Sequence, residues 1–502
     1  MSIPKAIFIY PGYENLGIEY LSASLKKAGF QTELVLDPVL FNESGFIRNK
    51  LFAKTFNFRR DVLREIKENK PDLVCFSVIS DNIFWAAELA REIKEKIIVP
   101  IVFGGIHPTS VPDKVIKIDS VDFICVGEGD SAIVELGEGI IKNSKNKNVQ
   151  NIWFKNEGKV ITNEVRALVD DLDTLPFPDK DLYYRKYNFM FNGYTIITSR
   201  GCPHSCSFCV NSVLNDIYSA KGSYLRRRGV DNVIAELELA KTKYSPKFIH
   251  FLDEVFTYDK NWLEKFVPLY KKIINLPFAC YVSPSFINEE VVGLLKEAGC
   301  YKAQMGVQTL NEDNLKNLLS REYNKEAVAM AIGFFRKNKI YLTCDNIFGL
   351  PGENKNDLME IAEFYSLHQP NHIEVFWLRY YPRTPIIEKA LKLGKLTREE
   401  ADVFNSGRQS RGIASGGDTF NKESAKFQLL LNLFCFLPKP LRRLILKTKI
   451  FNYFPALNPV LVAVVSRIFN RAKFDLFTYM TIQRYRVYCL RRLSRFFGVR
   501  SY

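Results

Sequence analysis

The stretch YTIITSRGCPHSCSFCVN, residues 194–211, places three thiols, Cys202, Cys206 and Cys209, directly after an apolar strand-like run. Thiolates are the soft ligands that iron–sulfur clusters require, and three protein ligands leave one iron of a four-iron cluster open to activate a substrate. A structural zinc site normally takes a fourth protein ligand; His204 could serve, although it sits inside the loop and would strain it. Buried thiols without a metal are the third interpretation. The motif favours an iron–sulfur cluster.

Strand and helix patterns alternate on both sides of this motif. After it, the apolar runs YTIITS, KFIHFL, FACYVS, KAQMGV, TCDNIFGL and HIEVFWL are separated by helical segments, which predicts a parallel β/α barrel or partial barrel. Before it, KAIFIY, QTELVL, DLVCFSV, IVPIVFGG and VDFICVGEG alternate with amphipathic stretches. This alternation predicts a Rossmann-like, doubly wound parallel α/β sheet.

The length of 502 residues is too great for one core and predicts several domains. We expect an N-terminal sheet domain over 1–145, a hairpin and Pro-bearing linker over 146–185, a barrel over 186–395 and a basic, mainly helical region over 396–502. The fold class is therefore α/β, with the two sheet domains in tandem.

The charge of the chain is concentrated in its last part. The net charge is +15, yet residues 427–502 contain fourteen Lys and Arg against one acid, Asp475. The rest of the chain is nearly balanced, so we expect no nucleic-acid partner. Ten cysteines without a disulfide-like spacing suit a reducing compartment, and residues 1–17 do not resemble a secretory signal, so we expect a cytoplasmic protein.

Four segments at the predicted carboxyl ends of the N-terminal strands are rich in Gly and small polar residues. They are residues 11–17, 77–82, 104–109 and 127–129. Ligands of open parallel sheets bind beyond these strand ends, and glycine lets a backbone approach a large ligand closely. These segments predict a crevice for a large ligand.

The C-x3-C-x-aromatic-C spacing, with Phe208 as the aromatic residue, resembles the radical S-adenosylmethionine (SAM) superfamily. The resemblance implies a [4Fe-4S] cluster on Cys202, Cys206 and Cys209. It further implies that the open iron binds SAM and that reduction cleaves it to methionine and a 5'-deoxyadenosyl radical. Iron–sulfur potentials reach roughly −700 mV, low enough for this reduction.

Four later segments resemble motifs that contact SAM in this superfamily. They are FLDEVF with Asp253 and Glu254, MGVQTL with Gln308, IFGLPGEN with Gly349, and YYPRTP over 380–385. The resemblance implies that Phe208, Asp253, Gln308 and Gly349 bind SAM. Alternatively, Asp253 caps a helix, Gln308 satisfies backbone groups and the Gly-Pro run is a turn. Relatives often have a basic residue in the third-strand region, where this chain reads YVSPSF.

The segments LGIEYLSASLKKAGF, FGGIHPT and VGEGD resemble the cobalamin-binding domain found ahead of many radical SAM cores. The resemblance implies cobalamin contacts from Gly12, Ser77, Gly104, Gly105, His107, Gly127, Glu128 and Gly129. The D-x-H-x-x-G motif of histidine-ligated cobalamin is absent from this region. We therefore expect no histidine on cobalt, and we expect His107, the only histidine there, to be a hydrogen-bonding loop residue.

The chain as a whole resembles the cobalamin-dependent class that includes the anaerobic magnesium-protoporphyrin ester cyclase and many methylases. The resemblance implies methyl transfer to an unactivated carbon of a bulky or apolar substrate, with a low-potential electron donor. Oxidative ring formation of the cyclase type is the enzymatic alternative. A cobalamin-dependent sensor or binding module is the alternative from another class, but a sensor does not need an open iron.

The basic region over 427–502 allows two interpretations. Its apolar runs FQLLLNLFCFL and NPVLVAVVSRIF have only about ten residues, too short to span a bilayer. RRLILKTK and RYRVYCLRRLSRFF mix bases with apolar residues as interfacial helices do, which predicts peripheral contact with the inner face of the membrane and a lipid-like substrate. Alternatively, these helices pack on the barrel and close the substrate cavity.

Overall fold

The computed structural model describes residues 3–42, 49–142, 148–406, 419–459, 461–462, 465–466 and 476–496. Two parallel sheets follow each other along the chain, and helices form the C-terminal region. This confirms the predicted fold class.

The N-terminal sheet has five parallel strands in the order β2-β1-β3-β4-β5. The strands are β1 Lys5–Tyr10, β2 Gln31–Leu36, β3 Leu73–Ser77, β4 Ile101–Gly104 and β5 Phe123–Cys125. Successive residues of β1 enter different cores, because Ala6 and Phe8 pack on one face while Ile7 and Ile9 pack on the other. Burial on both faces explains why these strands read as continuous apolar runs.

A hairpin extends this sheet at β5. Its strands are β6 Ile152–Asn156 and β7 Lys159–Ile161, and both run antiparallel to their neighbours. Glu157 and Gly158 turn the chain with φ values of 51° and 78°. The segment predicted as a hairpin between domains thus belongs to the first sheet, where it covers the open edge of β5.

In the described part of the chain, seven helices surround the N-terminal sheet. They are α1 Leu16–Lys27, α2 Lys50–Thr55, α3 Arg59–Asn69, α4 Ile83–Lys94, α5 Ile106–Ser110, α6 Pro112–Val115 and α7 Ala132–Ile141. Helix α1 begins after Asn15, whose side chain accepts a hydrogen bond from the backbone N–H of Ile18. Asparagine caps satisfy amides that have no partner within the helix.

The second sheet has six parallel strands in chain order, with β8 and β15 at its edges. Between β8 and β11 lies the small antiparallel pair β9–β10. The strands are β8 Tyr194–Ile196, β9 Ser199–Arg200, β10 Arg226–Arg227, β11 Ile249–Phe251, β12 Phe278–Val282, β13 Cys300–Gln308, β14 Tyr341–Phe348 and β15 His372–Trp377. Six parallel strands with helical crossovers form a partial barrel.

The helices of the linker and barrel and of the C-terminal region follow the same chain order. They are α8 Asp181–Tyr184, α9 Val210–Ile217, α10 Val230–Tyr244, α11 Lys260–Leu269, α12 Glu289–Glu297, α13 Lys325–Lys337, α14 Lys355–Leu367, α15 Pro385–Lys392, α16 Arg398–Asn405, α17 Lys422–Phe434, α18 Lys439–Thr448 and α19 Leu476–Phe496. Shorter 3-10 and π turns are Leu172–Thr174, Asn188–Met190, Tyr270–Ile274, Pro284–Phe286, Asn314–Leu318 and Ile450–Tyr453.

Two C-terminal helices pack on the body of the protein. Phe427 and Leu430 of α17 are buried in the same core as the barrel strands. Helix α19 returns to the N-terminal domain, where the Thr481 and Tyr13 hydroxyls lie 2.7 Å apart and Tyr488 packs edge-on against Phe58. Among the described helices, none is long and apolar enough to cross a membrane.

Candidate functional site

A cavity of about 600 Å³ lies between the two sheet domains. Its walls come from the carboxyl ends of β1, β3, β4 and β5 on one side and from the loops after β8 and β11 on the other. The apolar part includes Phe8, Leu21, Ile133, Leu214 and Leu252, and the polar part includes Arg200, Asn211, Tyr218, Tyr224 and Glu254. The carboxyl ends of both sheets therefore face one shared space.

The N-terminal wall contains six of the eight predicted cobalamin contacts. They are Ser77, Gly104, Gly105, Gly127, Glu128 and Gly129. Two positions leave no room for a side chain. A Cβ on Gly105, at φ 103°, would lie 2.8 Å from the Val78 carbonyl oxygen, and a Cβ on Gly127, at φ 85°, would lie 2.0 Å from the Tyr218 hydroxyl. Both the positive φ and the close neighbours require glycine here.

Gly12 and His107, the other two predicted contacts, do not line the cavity. His107 is buried, and its Nδ1 lies 3.0 Å from the Ser80 hydroxyl. Burial lowers the pKa of His107 to about 4, so the ring is neutral at pH 7. Gly12 faces α19, because a Cβ there would lie 2.6 Å from Nη1 of Arg484.

The cysteine loop follows β9 and ends at α9. Gly201 precedes it at φ 89°, where a Cβ would lie 2.2 Å from the Tyr224 carbonyl oxygen. Cys206 is buried, whereas Cys202 and Cys209 are partly exposed. The backbone N–H of Cys209 donates to the Cys206 carbonyl, which closes a tight turn. Asn211, two residues after Cys209, lines the shared cavity. Gly201, at the start of the loop, lines it too, whereas the three cysteines are not among its lining residues, so the loop borders the cavity through its two ends.

The surroundings of the three thiols contain several donors. Nε of Arg321 donates to Sγ of Cys206 at 3.1 Å, and Nδ2 of Asn211 donates to Sγ of Cys209 at 3.6 Å. Burial raises the pKa of Cys202 to about 12 and that of Cys209 to about 11. Iron ligation requires thiolates, so a bound cationic centre would have to stabilise them. Three thiols, two of which accept hydrogen bonds from neighbouring side chains, fit an iron–sulfur cluster.

His204, the fourth ligand that a zinc site could use, turns its ring elsewhere. Its Nε2 lies 2.9 Å from the Ser283 hydroxyl, and burial lowers its pKa to about 4. Among the described residues, no group of three or more His, Cys, Asp or Glu side chains is close enough to hold one metal ion. A four-iron cluster is a different case, because each cysteine binds its own iron.

Asp253, a predicted SAM contact, is buried beneath the cysteine loop. Its carboxylate accepts hydrogen bonds from the backbone N–H and hydroxyl of Thr198 and from the Ser199 hydroxyl. These bonds fix the end of the strand that leads into the loop. The neighbouring Glu254 lines the cavity, and burial raises its pKa. The two adjacent carboxylates thus have different surroundings, one buried in a hydrogen-bond network and one on the cavity wall.

Gln308 ends β13 in a left-handed conformation with φ 62°. Its side-chain amide folds back over Gly306, where a Cβ would lie 2.6 Å from Nε2 of Gln308 and 3.4 Å from Nη1 of Arg321. Arg321 donates from Nη1 to the Gly306 carbonyl and from Nε to Cys206, so it links β13 with the cysteine loop. Sequence reasoning missed it because it follows the MGVQTL motif by eleven residues.

Phe208 and Gly349 lie farther along the barrel mouth. Phe208 packs against a buried cluster that includes Leu319, Ile347 and Tyr380. The Gly349 amide donates to the Glu353 carboxylate at 2.7 Å, and a Cβ on Gly349 would lie 2.2 Å from the Thr419 hydroxyl. Gly349 lines a separate cavity of about 370 Å³. Of the four predicted SAM contacts, Gly349 lines the 370 Å³ cavity, whereas Phe208, Asp253 and Gln308 line neither this cavity nor the 600 Å³ one.

Salt bridges join the two domains at the cavity, and sequence reasoning missed them. Arg200 donates two hydrogen bonds to Asp130, at 2.8 and 3.1 Å, and one to Glu128 at 3.1 Å. Arg226 donates to the other oxygen of Glu128 at 2.5 Å. The Tyr218 hydroxyl accepts from the Glu128 backbone N–H at 2.6 Å. These bonds of Arg200, Arg226 and Tyr218 form a clamp between the domains. The clamp holds the segment before Cys202 against residues 127–129, which are predicted to contact cobalamin.

A larger cavity of about 870 Å³ lies at the opposite, amino ends of β13, β14 and β15. Arg336, Lys339, Tyr341, His372 and Phe436 are among its lining residues. It contains none of the predicted site residues, so we place the functional site in the 600 Å³ cavity.

Two parts of the chain match known protein families. Residues 196–365 match the radical SAM superfamily, and residues 9–137 match the B12 binding domain. The chain is 25% identical over 340 residues to an uncharacterized methyltransferase, PH0819, of Pyrococcus horikoshii, covering 66% of this chain and 72% of the relative. It is 25% identical over 427 residues to the anaerobic magnesium-protoporphyrin IX monomethyl ester cyclase of Rubrivivax gelatinosus, covering 80% and 71%.

The solved structure of OxsB, a cobalamin-dependent SAM radical enzyme with aqua-cobalamin bound, superposes with a TM-score of 0.68. The match covers 99% of this chain and 81% of OxsB at 15% sequence identity. At this identity the likeness concerns the fold, and it includes the C-terminal helical region.

Proposed function

The chain combines a B12 binding domain with a radical SAM domain, and from this premise we propose that it is a cobalamin-dependent radical SAM methyltransferase. We propose that it methylates an unactivated carbon of a bulky or apolar small molecule and takes electrons from a low-potential donor. One observation carries the proposal: a single cavity is lined by the carboxyl ends of both sheets, with the cysteine loop at its wall.

In this proposal Cys202, Cys206 and Cys209 hold a [4Fe-4S] cluster whose open iron binds SAM. Ser77, Gly104, Gly105, Gly127, Glu128 and Gly129 contact cobalamin on the facing wall. When bound, these groups supply radical abstraction of a hydrogen atom and the methyl group that replaces it. The domain clamp supports the proposal because it holds the two walls in a fixed relation.

The remaining predicted residues have supporting or secondary roles in the proposal. Asp253 positions the cysteine loop through Thr198 and Ser199, and Gln308 faces SAM beside Arg321. Phe208 and Gly349 border the adenosine end of the SAM site. His107 contacts Ser80 in the 77–82 loop and would not supply a nitrogen ligand to cobalt. Gly12 contacts the tail helix α19 rather than the cofactor.

The apolar part of the cavity wall has a chemical role of its own. Leu21, Ile133, Leu214 and Leu252 line the space between the two predicted cofactor sites. Such a surface excludes water, which limits side reactions of a reactive centre and favours an apolar substrate group. Tyr224 and Glu254 are the polar groups best placed to orient that substrate.

Oxidative ring formation is the second candidate reaction. It is favoured by the match to the Rubrivivax gelatinosus cyclase, which extends over 80% of this chain. Both reactions begin with hydrogen abstraction, and they differ in whether a methyl group is added. The products, rather than the cofactor contents, distinguish them.

We also propose that the tail mediates peripheral contact with the inner face of a membrane and that the substrate is lipid-like. The basic, apolar-rich composition of residues 427–502 supports this contact. The packing of α17 and α19 on the body supports the alternative, in which the tail helices pack on the barrel and close the substrate cavity.

The test is anaerobic reconstitution with iron and sulfide, followed by cobalamin and SAM. We expect about four irons per chain, cobalamin uptake and reductive cleavage of SAM. Replacing Cys202, Cys206 and Cys209 together with Ala abolishes iron binding and SAM cleavage. The matched control replaces Cys435 and Cys489, two partly exposed cysteines outside the motif, and retains both. Tight zinc without an iron chromophore, or no cobalamin uptake, would refute the proposal.

A further inference from the structure

One short stretch of the C-terminal region exposes five large apolar side chains. In α18 and its flanks, the exposed fractions are 54% for Phe436, 45% for Leu441, 54% for Leu444, 51% for Ile450 and 88% for Tyr453. The same eighteen residues contain five bases and no acid. Contiguous apolar surface of this kind on a soluble fold marks an interaction site.

Helix α18 places its apolar and basic residues in adjacent strips. Arg442 is buried and donates from Nη1 to the Tyr365 carbonyl oxygen at 2.9 Å, which fixes the inward face of the helix. At 100° per residue, Leu441 and Leu444 then lie on one flank of the outward face, and Arg443 and Lys447 lie on the other. Lys439 and Lys449 add exposed bases at the two ends of the helix.

Helices α17 and α19 use several of their apolar residues and bases within the protein. The α19 guanidinium of Arg484 lies 4.5 Å from the ring centre of Tyr13, and that of Arg491 lies 5.5 Å from the ring centre of Phe189. Helix α17 buries Phe427 and Phe434 completely or almost so. Helix α19 also exposes Ile482, Leu490 and Leu493, at 58%, 57% and 42%, whereas α18 and its flanks expose five large apolar side chains within eighteen residues.

We propose that α18 and its flanks, residues 436–453, form a docking surface for an anionic membrane. This inference rests on the peripheral contact in the proposed function and names the surface that makes it. The apolar side chains would enter the boundary between headgroups and acyl chains, while the bases stay at the level of the lipid phosphates. A strip of bases without acids complements the negative surface potential of such a membrane.

Charge also selects the membrane over a second copy of the chain. A twofold contact through this surface would bring the same set of bases, Lys439, Arg443, Lys447 and Lys449, from both copies into one interface. Like charges at close distance oppose such a contact. An anionic lipid surface removes this repulsion and accepts the apolar residues as well.

The experiment is flotation of the reconstituted full-length protein with vesicles of phosphatidylcholine, with or without phosphatidylglycerol. We expect binding to the anionic vesicles that weakens as salt is raised. Each base near the surface contributes about fivefold in partitioning, so Arg443→Gln with Lys447→Gln weakens binding about 30-fold. Leu441→Ser with Leu444→Ser weakens it at least about tenfold, because half-exposed leucines lose their insertion.

Two matched controls alter the same residue types elsewhere. Lys296→Gln with Lys316→Gln removes two exposed bases, and Leu239→Ser with Met330→Ser removes two apolar side chains that are 51% and 56% exposed. Both controls should float like the unaltered protein. Circular dichroism and iron content, equal in every variant, show that folding and the cluster site are intact.

Three results would overturn the inference. The first is no flotation of the unaltered protein on anionic vesicles. The second is flotation that the α18 variants leave unchanged. The third is concentration-dependent dimerisation, measured by light scattering, that the leucine variants abolish in the absence of flotation. Failure of the proposed function is recognised separately, because it appears as missing iron or SAM cleavage while vesicle binding persists.

Discussion

The interdomain clamp yields a quantitative prediction for Arg200→Met. The change keeps the length of the side chain but removes both hydrogen bonds to Asp130 and the one to Glu128. The Asp130 and Arg200 side chains are only 8% and 15% exposed, so an unpaired carboxylate is left in a poorly solvated site. Breaking a buried pair in this way costs about 3–5 kcal/mol. Glu128 keeps its bond to Arg226 and is affected less.

Urea unfolding at pH 7, followed by tryptophan fluorescence and circular dichroism, measures this loss. For a slope of about 4 kcal/mol per M, the midpoint of the transition that separates the domains falls by about 1 M. The control is Lys221→Met, which removes an exposed 3.8 Å contact with Glu164 and should cost about 0–1 kcal/mol. Arg200→Lys keeps the charge but loses the bidentate contact, so its midpoint should lie between those of Arg200→Met and Lys221→Met.

The difference in stability between Arg200→Met and the unaltered protein should depend on pH if it arises from the ion pair with Asp130. The Arg200 guanidinium holds the pKa of Asp130 below its usual value, against the opposing effect of burial. The stabilisation is therefore present above the pKa of an unfolded aspartate, about 3.9, and is lost as pH falls through the lower folded value. The gap between Arg200→Met and the unaltered protein should be constant from pH 6 to 8 and shrink below about pH 4. A midpoint equal to that of the control, or a gap that persists at low pH, would refute the reasoning.

Three further predictions concern single sites. Gly127→Ala weakens cobalamin binding in equilibrium dialysis, because its Cβ would lie 2.0 Å from the Tyr218 hydroxyl, and adding Tyr218→Ala restores part of the affinity; unchanged binding of the single variant contradicts this. His107→Ala leaves the electron paramagnetic resonance spectrum of cob(II)alamin unchanged, since no protein nitrogen is expected on cobalt; loss of a nitrogen splitting contradicts this. Burial raises the pKa of Asp345 to about 8, so folding stability of the unaltered protein falls by about 1.4 kcal/mol per pH unit between about pH 4 and 8 relative to Asp345→Asn. A pH-independent difference in urea midpoints contradicts that sign.

Much of the fold was predictable because its signals are local in the chain. All eleven sequence-predicted strands of the two parallel sheets form, since each is a short apolar run whose burial on both faces leaves little ambiguity. The cysteine motif is also local, with its three thiols within eight residues. The hairpin was predicted as a separate element because its pairing with β5 depends on an edge that the sequence does not display.

The arrangement of the site depended on contacts between distant segments. Arg321 reaches Cys206 across 115 positions, and Arg200 reaches Asp130 across 70. Charged residues of this kind look like ordinary surface residues in a sequence, because nothing in their immediate neighbours shows that they become buried. The orientation of the His107 ring toward the Ser80 hydroxyl is likewise set by the packing of two loops.

The sequence by itself determined the two α/β domains, the order of their strands along the chain and the identity of the three thiols. Only the tertiary structure decided which residues meet at the cavity and which apolar and basic residues of α17, α18 and α19 lie against the body or stay exposed. The physical reason is that backbone hydrogen bonding and hydrophobic periodicity act over a few residues, whereas burial, ion pairing and cavity shape arise where segments far apart in the chain come together.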